Sequence, residues 1–137
     1  MRISSGSAYL QIELEEEQLW PDRSYSISAF RDGFSGRADK VFITADDADR
    51  FLNQLDSIRV NNSQSAELRN LSSGTSCDPF MLVIHTTDSL GHLRASIGFC
   101  KVDHQFGGKD LRAELGFSID REYFDSIILD FKLLFQR

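Results

Sequence analysis

From Ala8 onward apolar and polar residues alternate: Ala8, Leu10, Ile12 and Leu14 hold one phase, Tyr9, Gln11, Glu13 and Glu15 the other. A repeat of two is that of a half-buried strand. Glu15, Glu16 and Glu17 close this strand, and Trp20-Pro21-Asp22 turns the chain. The alternation returns with Tyr25, Ile27 and Ala29 on one face and Ser24, Ser26, Ser28 and Phe30 on the other. A third strand sets Val41 and Ile43 inward against Phe42. After Thr44 the period becomes helical, with Ala48, Phe51, Leu52, Leu55 and Ile58 on one stripe. Thr44 is a good N-cap with Asp47 at the capping-box position. Asp46, Asp47 and Asp49 fall in the first turn, where the helix dipole favours negative charge.

The second half repeats the order. Ala66 and Leu68 open a fourth strand that runs into a polar loop at Leu71-Ser72-Ser73-Gly74-Thr75-Ser76. Asp88-Ser89-Leu90-Gly91 then has the residues of a type I turn. If Asp88 faces Gly91, Ile84 meets Ala95, Leu82 meets Ile97 and Phe80 meets Phe99. Every pair is apolar, and a slip of one residue would invert the faces, so the pattern predicts this register. Met81, Val83, His85, Thr87, His92, Arg94, Ser96 and Gly98 form the opposite, mixed face. Leu111, Ala113, Leu115, Phe117 and Ile119 alternate through a last strand. Asp120 then caps a helix with the stripe Phe124, Ile127, Ile128, Phe131, Leu134 and Phe135, and Tyr123 at its margin. The expected fold is α+β: one domain over residues 1–137, with a mostly antiparallel curved sheet of about six to seven strands. Two helices, at about 45–58 and 121–135, roof that sheet.

Composition narrows the function classes. The 137 residues are 41% hydrophobic and 26% charged, a globular balance large enough to form a core without metal or disulfide staples. A formal charge of −6 argues against a nucleic-acid surface and suits a basic protein partner. Cys77 and Cys100, the only cysteines, read as reduced residues of a cytoplasmic protein, since no secretory leader stands at the N-terminus. No apolar run is long enough to span a bilayer.

Gly33-Phe34-Ser35-Gly36 places a serine between glycines, but a nucleophile elbow needs G-x-S-x-G leading from strand to helix. Here the spacing is one residue short and a strand follows, so Ser35 reads as a hairpin residue. Cys77, His85, His92, Cys100 and His104 are metal-compatible types without the paired spacing of a structural zinc site. Carboxylates fall in turns, helix starts and outward strand positions, with no contrast of environments to separate two pKa values. No phosphate-binding glycine motif is present, and Phe106-Gly107-Gly108-Lys109 leads into a strand rather than a helix. The expectation is a non-enzymatic domain with no cofactor and no metal.

The GFSG hairpin followed by KVFITADDADRFLNQLDSI, then DPFMLVI, DSLGHLRASIGF and LGFSIDREYFDSIILDFKLLF, resembles the pattern of WapI-type bacterial immunity proteins. The likeness covers about Tyr25 to Phe135 and rests on hairpins and helix starts. It implies a cytoplasmic, non-catalytic immunity protein of a polymorphic toxin system, which binds and occludes a cognate toxin domain, possible targets including nucleases. A basic nuclease groove would attract an acidic partner. Charge then nominates Glu13, Glu15, Glu16, Glu17 and Asp22 as contact residues, with Trp20 as an aromatic anchor. The alternative is a general ligand- or protein-binding regulatory domain, and oligomeric state is left open.

Overall fold

In the computed structural model, which describes residues 1–19, 22–61, 64–70, 79–103 and 109–136, the strands form two antiparallel sheets of four, each in sequential order. The first contains β1 (Arg2–Ser5), β2 (Ala8–Leu19), β3 (Asp22–Arg31) and β4 (Phe34–Ile43). The second contains β5 (Ser65–Asn70), β6 (Phe80–Thr86), β7 (Leu93–Asp103) and β8 (Lys109–Ile119). Helix α1 (Ala45–Val60) stands between the sheets in sequence, and α2 (Phe124–Leu134) follows β8 through a short 3-10 turn at Arg121–Tyr123.

The α+β class is as expected, but two sheets replace the one sheet of six to seven strands. Gln54 on α1 accepts the Glu67 backbone N–H of β5 at 2.9 Å, so the helix covers part of the outer edge of β5. β1 was absent from the sequence reading because Ile3 is its only large apolar residue, too little for a period.

Both sheets turn their apolar phase to a shared core. Ile12, Ile27, Val41, Leu68, Leu82 and Ile84 are fully buried in it, together with Phe51, Leu55, Ile58 and Phe131 of the helices. Phe51 and Phe131 meet edge to face with centroids 4.9 Å apart, and Tyr25 meets Phe135 the same way at 5.7 Å. Between the sheets, β4 approaches β7 so closely that a Cβ on Gly36 would lie 2.4 Å from the Phe99 ring. Arg31 of β3 donates to the Gly116 carbonyl of β8. Arg121 joins three elements, donating to the Gly91 carbonyl of the β6–β7 turn at 3.0 Å and to Ile58 of α1 at 3.4 Å.

Local signals behave as their chemistry dictates. Thr44 caps α1 by accepting the Asp47 N–H at 3.1 Å, and Asp120 accepts from Glu122 at 3.0 Å. The β6–β7 register pairs Phe80 with Phe99, Leu82 with Ile97 and Ile84 with Ala95, as the apolar pairing required. The β3–β4 turn is Asp32-Gly33, both at positive φ (51° and 82°), the two-residue form that matches strand twist. Ser35 lies two residues beyond it, exposed on β4 opposite Phe30. Gly36, expected as turn chemistry, is a strand residue fixed by the Phe99 contact.

Candidate functional site

The acidic segment of β2 was the first candidate. β2 continues to Leu19 rather than closing at the glutamates, and its pairing with β3 shifts between Leu14 and Glu16. Glu15 is the extra residue of that bulge, so Glu13, Glu15 and Glu17 do not share a simple alternating face. Glu13 is exposed and accepts from Gln11. Glu15 crosses β3 to accept the Lys40 N–H at 3.1 Å, supporting a second bulge in β4 where Lys40 has φ 54°. Glu16 pairs with Ser24 and Asp22 with Leu19 through their strands. The side chains of Glu16, Glu17 and Asp22 and the whole of Trp20 lie outside the described residues.

A stronger candidate is the outer surface of the helices. α1 carries Asp46, Asp47, Asp49 and Asp56 against Arg50 and Arg59, and residues 120–134 carry Asp120, Glu122, Asp125 and Asp130 against Arg121 and Lys132. The two segments therefore hold −4 of the formal −6. Leu129 and Leu133, one turn apart on α2, are 57% and 60% exposed, and Tyr123 is 60% exposed. A groove of about 620 Å³ runs between α1 and the last turn of α2, lined by Asp49, Leu52, Asn53, Asp56, Lys132 and Phe135. Lys132 bridges it to Asp56 at 3.3 Å. Exposed leucines on a helix face that packing leaves free were readable from the sequence as i and i+4 positions opposite the buried stripe, but charge had drawn the reading to β2.

A third feature is a shallow hollow of about 290 Å³ on the outer face of the second sheet, between β6, β7 and β8. Met81, Arg94, Ser96, Gly98, Glu114 and Gly116 surround it. The sequence reading had placed Gly98 on this mixed face without assigning it a role.

The metal-compatible residues are dispersed. His92 pairs through Nδ1 with Asp88 in the β6–β7 turn, and His85 lies on β6. Among the described residues no three His, Cys, Asp or Glu side chains converge as a metal site. Cys77 and His104 lie outside those residues. Cys100 is disulfide-bonded, which corrects the expectation of reduced thiols. The Cys100 backbone N–H donates to the Pro79 carbonyl at 3.3 Å. The hydrogen bond from His92, joined by the backbone N–H groups of His92 and Leu90, holds the Asp88 carboxyl below the usual aspartate range. No helix among the described residues is long and apolar enough to cross a membrane.

Compared with models of protein families, with curated proteins and with solved structures, the chain matches none.

Proposed function

We propose that the chain is a non-catalytic, immunity-like protein that binds a basic toxin domain and blocks its working surface. The observation that carries this reading is that α1 and α2 together carry net negative charge, two exposed leucines on α2 and a groove between the helices. Charge of one sign speeds encounter with a basic partner and sets orientation, whereas exposed apolar side chains at the centre of a patch supply binding energy on desolvation. The expected contact therefore centres on Leu129, Leu133, Asp49 and Asp56. Glu13, Glu16, Glu17, Asp22 and Trp20 stay secondary contact candidates on sequence charge alone, and Glu15 serves the β2 bulge. The resemblance to WapI-type immunity proteins agrees with this reading.

Calorimetric titration with the product of the adjacent gene, which the proposal expects to be a basic toxin domain, tests it. One-to-one binding that weakens as salt is raised, and weakens at least tenfold in a Leu129→Asp/Leu133→Asp variant, is expected. Absence of binding, or equal affinity in that variant, contradicts it.

A further inference from the structure

Gly98 is a strand glycine without a packing reason among the described residues. Gly36 is required by the Phe99 ring, whereas a Cβ on Gly116 would press only on the far end of the Arg94 side chain, which can swing aside. A methyl on Gly98 would meet only Met81, at an ordinary 3.8 Å, and the backbone there is not left-handed. Yet Gly98 lies inside β7, paired on both sides, opposite Met81 on β6 and Glu114 on β8. Glycine weakens a strand at such a position, and where neighbours do not demand it, it marks the close approach of something else.

The space it opens is the hollow of about 290 Å³, near the lower end of small-molecule sites. Arg94 and Glu114 stand on its rim with opposite charges. Neither makes a hydrogen bond or ion pair to another described residue, although Arg94 is half-buried over Gly116. A guanidinium takes a carboxylate bidentately, a carboxylate takes an ammonium, and the Met81 thioether adapts to a hydrocarbon chain. We propose that this hollow binds a small zwitterion of the α-amino-acid type with an apolar side chain, its backbone lying over Gly98. The site is on the outer face of the second sheet and does not depend on the toxin-binding reading.

The test is an amide NMR titration of the full chain with L-methionine, L-leucine and L-phenylalanine, and with L-methioninamide and N-acetyl-L-methionine. Saturable shifts at Ser96, Gly98 and Gly116 are expected with at least one free amino acid. Loss of the carboxylate or of the ammonium should weaken methionine-type binding about tenfold or more. Gly98→Ala and Gly98→Val should retain the fold, with an unchanged or higher thermal midpoint, and lose the shifts. Arg94→Met should remove the preference for methionine over its amide. No saturable shift with any free amino acid, shifts confined to other surfaces, or undiminished binding in folded Gly98→Val overturns the proposal.

Discussion

At single positions, backbone conformation separates residues that serve the fold from residues free to serve something else. Lys40 holds φ 54°, a region that costs an L side chain about 1–2 kcal/mol. Its N–H is satisfied by Glu15. Lys40→Gly should raise unfolding free energy by about 0.5–1 kcal/mol once the greater chain entropy of glycine is counted. Glu15→Ala should lower it by about 1 kcal/mol. Urea denaturation checks both, and a neutral Glu15→Ala would return that glutamate to the pool of contact residues. Gly36→Ala should cost about 1–3 kcal/mol, because the Phe99 ring must move. For Asp88 the pH sign is fixed by the lowered carboxyl pKa. Its ionised form favours the folded turn above the usual aspartate pKa, and that contribution is lost as pH falls through the lowered value. A carboxyl-detected NMR titration should find Asp88 below the usual aspartate value, and His92→Ala should move it upward.

At the level of elements, the helices and hairpins were legible where two independent signals coincided. Thr44 with the Phe51–Ile58 stripe placed α1, and Asp120 with Phe124–Phe135 placed α2, although the first turn of the latter winds as 3-10. The β6–β7 register was readable because turn chemistry and apolar pairing gave the same answer. The split into two sheets was not, because alternation assigns strands but not which strands pair, and the helix that covers the β5 edge does so through a contact periodicity does not show. The candidate surface was missed for a related reason. A run of three glutamates is conspicuous, whereas eight carboxylates distributed over two helices become one surface only when α1 and α2 lie side by side. That packing is itself testable. Phe131→Ala should cost about 3–5 kcal/mol by opening the aromatic contact with Phe51. Arg121→Met should cost about 1–3 kcal/mol by leaving two carbonyls without their donor.

The two sheets and their helices form one core and leave two contrasting surfaces among the described residues: the acidic helix crest and the glycine-floored hollow. The crest combines apolar exposure with charge, and on this basis it is the proposed toxin-binding face. Leu129 and Leu133 contribute little to the core, so Leu129→Asp/Leu133→Asp should change stability by no more than about 1 kcal/mol. Loss of function in that variant can therefore be separated from unfolding. The decisive measurement is bacterial growth during co-expression with the product of the adjacent gene, which the proposal expects to be a toxin. The wild type should restore growth and the folded Leu129→Asp/Leu133→Asp variant should not. Continued killing in the presence of the wild type, or full rescue by the variant, would contradict the proposed role of this surface.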